Sequence, residues 1–127
     1  MNNYSEKLKY PRWQKKRLEI FQRDEFKCQS CGNTEKTLAV HHRIYLRGKD
    51  PWDYPNELLI TLCCVCHEEE TMCRSDAETY LIEELRKRFW WYDISVLGDA
   101  FANMQEPANH SPQAVLSSVI DELNLQP

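Results

Sequence analysis

The chain has 127 residues, is 42% hydrophobic and 28% charged, and carries a formal net charge of −4. This length suits one domain with a short extension, enough for a modest core that a metal clip would reinforce. It has no run of about 18 apolar residues to span a membrane, and its polar start, MNNYSEKLKY, lacks the apolar centre of a secretion signal. A soluble, cytoplasmic protein is expected. The net charge hides a split: residues 1–50 carry 12 Lys/Arg against 6 Asp/Glu, whereas residues 51–127 carry 4 against 14. A basic front half suits contact with a polyanion, and the acidic remainder is expected to face elsewhere.

In chain order, Pro11 opens a helix running to about Asp24, with Trp13, Ile20, Phe21 and the stem of Arg17 on one stripe. Lys15, Lys16 and Arg23 fall on or near its exposed side. FKCQSCGN, residues 26–33, reads as a metal knuckle, because Gly32 can take the positive φ of a tight turn that aims amides at the thiolates. Residues 38–43 form a short strand, and residues 44–55 a loop punctuated by Gly48, Pro51 and Pro55. A second strand covers 58–62. A helix begins at about His67, and the capping pattern Ser75-Asp76-Ala77-Glu78 predicts a fresh one running to about Trp91. A further short helix is expected over 93–104, then a turn at 107–112. A last amphipathic helix starts at Ser111-Pro112, with Val115, Leu116, Val119, Ile120 and Leu123 on its apolar side.

Two Cys-x-x-Cys pairs, Cys28/Cys31 and Cys63/Cys66, lie about thirty residues apart. That is the spacing of a tetrahedral zinc site, and a reducing cytosol favours zinc over disulfides. Cys64 and Cys73 are left over as free thiols. Between and beside the pairs stand His41-His42, Asn56 and His67. A histidine titrating near 6.5 can take a proton from water at neutral pH, and imidazole binds divalent cations. His41 and His42 can divide these tasks. Adjacent strand residues point to opposite faces, however, so regular pairing is expected to stop at or near His42.

The ordered set resembles the HNH endonuclease family over about residues 13–73: Cys-x-x-Cys-Gly, an apolar-His-His strand, Asn before an apolar strand, then Leu-Cys-x-x-Cys-His. The resemblance implies an α+β fold. A small zinc-stapled ββα-metal core over residues 1–74 carries an N-terminal helix and a helical C-terminal extension over 75–127. It implies metal-dependent hydrolysis of DNA phosphodiester bonds by a bacterial or phage protein acting inside the cell. His42 would be the general base, His41 and His67 the ligands of a catalytic Mg²⁺, Mn²⁺, Ni²⁺ or Zn²⁺, and Asn56 the tie across the loop. Cys28, Cys31, Cys63 and Cys66 would hold structural zinc. In some relatives a third histidine follows the second ligand by four residues; here Thr71 occupies that place, and one of Glu68, Glu69 and Glu70 can reach the metal instead.

Arg43 and Arg47 flank the site and are candidates for contacting substrate phosphate. Two other readings stand beside the nuclease. A four-cysteine module could bind nucleic acid or protein without cutting. Alternatively, the nuclease could be one subunit of a multi-protein phage or defence system, with residues 75–127 docking a protein partner or a second copy.

Overall fold

The computed structural model describes residues 3–103, 116, 117 and 119–121. A single helical turn, α1 (Tyr4–Lys7), is capped by Asn3, whose side chain accepts from the Glu6 amide at 2.9 Å. Pro11 then starts α2 (Pro11–Arg23) at the position where its missing N–H costs nothing. Trp13 and Ile20, seven residues apart on one face, are buried with Val40, Tyr54 and Leu59. The predicted stripe is therefore the one that packs.

α2 is joined to the sheet by a polar clamp. Glu25 and Phe26 take left-handed φ values of 56° and 54° and turn the chain sharply after Asp24. Asp24 is buried, and its carboxylate accepts from the Thr61 amide at 2.9 Å and from the Arg23 guanidinium at 2.8 and 2.9 Å. Burial raises the Asp24 carboxyl, but the hydrogen bonds from Arg23 and Thr61 outweigh it and hold the group below its ordinary value. Arg23 also donates to the carbonyls of Asn56 and Leu59, each at 2.6 Å. The sequence places this arginine on the exposed basic side of the helix; its N–H groups are in fact engaged in tying α2 to the second strand.

That sheet has two antiparallel strands, β1 (Leu38–His42) and β2 (Leu59–Cys63), with Leu38 opposite Cys63 and His42 opposite Leu59. β1 ends at His42, where regular pairing is expected to stop, and the Arg43 amide closes the ladder on the Leu58 carbonyl at 2.8 Å. The connecting loop contains short 3-10 turns at Pro51–Asp53 and Asn56–Leu58. It is pinned by the buried Tyr54, whose hydroxyl accepts from the Leu46 amide at 2.8 Å. A second buried cluster, Cys28, Leu62 and Cys63, lies at the far end of the sheet. The architecture is thus mixed helix and antiparallel sheet.

The expected break at Ser75 is absent. One helix, α3 (Cys64–Arg88), runs through that position and buries none of its residues. The capping pattern fails because nothing terminates the preceding turns: the sequence from Cys64 to Ser75 has no Gly or Pro. Arg74 makes i,i+4 ion pairs with Glu70 and Glu78 across the supposed boundary. α4 (Trp91–Ala102) follows, with the Trp90 amide donating to Asp93 at 3.0 Å.

The chain divides into two compact units, Met1–Tyr80 and Leu81–Pro127. In the second, Trp90 and Trp91 are 81% and 79% exposed. Of the predicted last helix, Leu116, Val119 and Ile120 are helical and exposed. Its start at Ser111-Pro112, Val115 and Leu123 lie outside the described residues, as does the turn at 107–112.

Asp24→Ala is expected to cost about 2–3 kcal/mol in urea unfolding, because it strands the buried Thr61 amide and unpairs Arg23. Asp24→Asn, which keeps one acceptor, should lose less. The low folded pKa means the carboxylate's contribution is complete above its unfolded value of about 3.9 and declines as pH falls through the folded value.

Candidate metal centre and histidine cleft

Four sulfurs gather because two local turns and one strand end meet. In the first knuckle Gly32 has φ 78°, and its amide reaches the Cys28 carbonyl at 2.8 Å. The Cys31 amide points at the Cys28 sulfur at 3.5 Å. In the second knuckle the Cys66 amide points at the Cys63 sulfur, also at 3.5 Å. Cys63 is the last residue of β2 and directly precedes α3, so its sulfur stands as acceptor at the helix N-terminus. The Gln29 amide bonds the Thr61 carbonyl at 2.9 Å and docks the first knuckle on β2.

The ligating atoms of Cys28, Cys31, Cys63 and Cys66 all lie within 4.8 Å of one another, and the sulfurs of Cys31 and Cys63 are 3.8 Å apart. A tetrahedral zinc with Zn–S bonds of about 2.3 Å has sulfur–sulfur edges of ~3.8 Å. The donor set and its size fit a structural metal such as zinc. Their acidities point the same way. Burial raises the Cys28 thiol, yet the amides of Cys31, Cys63 and Ser30 bring it down to about 6. The Cys66 amide lowers Cys63, whereas Cys66, facing Cys63, is pushed up to about 12. Without a cation the cluster resists its last ionisation, and a divalent metal removes that resistance. Cys64 and Cys73 stand exposed outside the cluster.

The same geometry brings two of the three predicted histidines together. His67 lies one turn into α3, and its ring centroid is 5.3 Å from that of His41 on β1. His41 Nδ1 is buried with no hydrogen-bond partner, an arrangement that normally needs an explanation. A shared cation between the two imidazoles would supply one. Burial lowers the His41 pKa, the His67 ring lowers it further, and the Glu70 carboxylate opposes both. His41 borders a cleft of about 260 Å³ lined also by His42, Arg43, Glu70 and Arg74, among others, whereas His67 opens on a neighbouring cavity.

His42 is placed differently. As the next residue of the strand it turns to the other face, where it is 4% exposed. Trp13 and Tyr45 stack on its ring at 5.0 and 5.5 Å, and Tyr54 meets it edge-on at 4.5 Å. Tyr4 Oη lies 3.1 Å from its Nε2. Burial lowers the His42 pKa, while a hydrogen bond to the Pro51 carbonyl raises it. His42 still borders the cleft described above, and it lines a neighbouring cavity together with His67.

Of the remaining predicted residues, Arg43 is exposed at the cleft, whereas Arg47 is exposed on the loop and lines neither cavity. Asn56 is exposed, and its backbone carbonyl accepts from Arg23 at 2.6 Å. The sequence reading missed the aromatic enclosure of His42 and the Glu70–Arg74 pair. The pair was legible: Glu70 and Arg74 follow His67 by three and seven residues, on one helix face. The enclosure was not, because Tyr4, Trp13 and Tyr54 come from separate segments.

The chain matches no protein-family model, and no curated protein or solved structure matches it.

Purified protein is expected to carry about one zinc per chain by elemental analysis. Cys28→Ser should abolish stoichiometric zinc and the cooperative thermal transition together, since metal binding and folding are coupled. His67→Ala should retain the zinc. Zinc loss in His67→Ala would show that the two sites are not separate.

Proposed function

We propose that the cysteine-stapled unit is an HNH-type endonuclease that hydrolyses phosphodiester bonds in DNA, with the β1–β2–α3 segment as its ββα-metal core. The observation that carries this reading is the approach of His41 and His67, with rings 5.3 Å apart and His41 Nδ1 buried and unpartnered, beside the strand-end His42.

In this reading His41 and His67 hold a divalent cation. When bound, that cation stabilises charge developing on the phosphate and on the leaving 3′ oxygen. His42 Nε2 takes the proton from the attacking water. Arg43, exposed at the cleft, contacts a phosphate oxygen. Arg74 fixes one oxygen of Glu70 through Nε at 2.6 Å, so that carboxylate faces the cleft in a set orientation. Asn56 steadies the loop through its carbonyl bond to Arg23. One such site cuts one strand, so a single chain should nick, leaving 5′-phosphate and 3′-hydroxyl ends.

A specific observation favours the second reading, a zinc module that binds without cutting: His42 is 4% exposed, and its Nε2 already has the Tyr4 hydroxyl as partner. A base in that state has no lone pair for water.

Supercoiled plasmid separates the two readings. Nicking is expected with added Mg²⁺, Mn²⁺ or Ni²⁺ and not with EDTA. His42→Ala should reduce it by about 10²–10⁴-fold without loss of structural zinc. Equal nicking by both proteins would sink the assignment of His42 as the base. Zinc-loaded protein that never cuts, under any metal, would favour the binding module.

A further inference from the structure

Of the groups enclosing His42, Trp13 belongs to α2 and Tyr45 and Tyr54 to the loop after β1, and Trp13 and Tyr54 are themselves buried. Tyr4 is different. It sits on a one-turn helix with no buried residue, and isolated turns of that length have little stability of their own. α1 is held down by the ion pair from Lys7 to Asp50 at 2.5 Å, both side chains about one-third exposed, by the edge contacts of Tyr4 on His42 and Tyr45, and by Leu8, which packs on the core at its end.

Yet Tyr4 carries the polar atom that meets the catalytic nitrogen proposed above. Its hydroxyl lies 3.1 Å from His42 Nε2, within the reach of about 2.6–3.2 Å that a base needs for the proton it abstracts. Neutral imidazole has one acceptor nitrogen, and in the tautomer that makes His42 a base at Nε2 that nitrogen accepts from the Tyr4 hydroxyl. A water and the Tyr4 hydroxyl therefore compete for one lone pair.

We propose that α1 is a latch: the Tyr4 hydroxyl occupies the place of the nucleophilic water on His42, and the site becomes competent when α1 swings away. This inference rests on the nuclease reading for its consequence, but not for its structural content. Within α1 itself the closed state is held by one hydroxyl–imidazole bond, one part-exposed ion pair and two edge-on ring contacts, so it is weak enough for a substrate to open. Tyr4→Phe removes the bond and keeps the ring. Lys7→Ala removes the ion pair and leaves Tyr4 intact.

The test is the rate at which diethyl pyrocarbonate modifies His42 in the full-length, zinc-loaded protein, read site by site by mass spectrometry, with plasmid nicking measured alongside. Tyr4→Phe is expected to speed His42 modification roughly 2–12-fold, and Lys7→Ala roughly 1.5–5-fold. His41 and His67 serve as internal controls and should change little. Nicking should rise in the same variants. Faster modification of His42 with no nicking by any variant would uphold the latch and count against the nuclease. Unchanged modification in both variants would overturn the latch, whatever the nicking. Slower nicking in Tyr4→Phe with unchanged modification would also overturn it, and would make Tyr4 a residue that positions His42.

Discussion

Cys63 carries three duties at one point in the chain. It ends β2, its sulfur accepts the amide of Cys66 at the start of α3, and it closes a group of four sulfurs with Cys28, Cys31 and Cys66. Fixing that residue fixes where the helix begins and therefore its phase. Because a helix turns about 100° per residue, a start displaced by one residue would swing His67 away from His41. The sulfur cluster thus does more than compensate for a small core. It sets the angle at which α3 presents His67 to His41, and Glu70 and Arg74 to the cleft.

A second constraint acts from the opposite side. Asp24 and Arg23 bind α2 to the backbone of β2 and of the turn at Asn56–Leu58 through the amide of Thr61 and the carbonyls of Asn56 and Leu59. This places Trp13 against His42 and completes the packed face of the sheet. The alternation of side chains along β1 then divides labour between neighbours. His41 meets α3, whereas His42 enters an aromatic enclosure built from α1, α2 and the loop after β1. Two adjacent histidines so end in unlike surroundings: one has an unsatisfied buried nitrogen, and the other has partners at hand.

The two units differ in what they bury. Near the sheet, apolar side chains pack on one another and on the cysteine cluster. In the unit Leu81–Pro127, the large apolar residues of α4, among them Trp91, Val96, Leu97 and Phe101, are exposed among the described residues. The acidic excess of residues 51–127 falls largely on α3 and beyond, where carboxylates such as Glu84 are partnered by Lys87 and Arg88 along the helix. Those pairs help explain how a helix without a buried face persists.

The sequence by itself determined much of the first unit. Helix α2, both strands and the two knuckles follow from local chemistry: a proline at a helix start, a glycine that allows a left-handed turn, cysteines at fixed spacing, and alternating apolar residues. The four-sulfur cluster was legible for the same reason, since Cys-x-x-Cys states its own geometry. Local chemistry misled at Ser75, where a capping pattern is overridden by an uninterrupted helix whose ion pairs cross it. What only the tertiary structure decided is the fate of groups whose partners are distant in the chain: Arg23 as a clamp instead of a surface charge, Tyr4 on His42, and His41 beside His67. Spacing fixes the direction of a side chain relative to its own element. Which other element it meets depends on how the elements pack, and no local pattern records that.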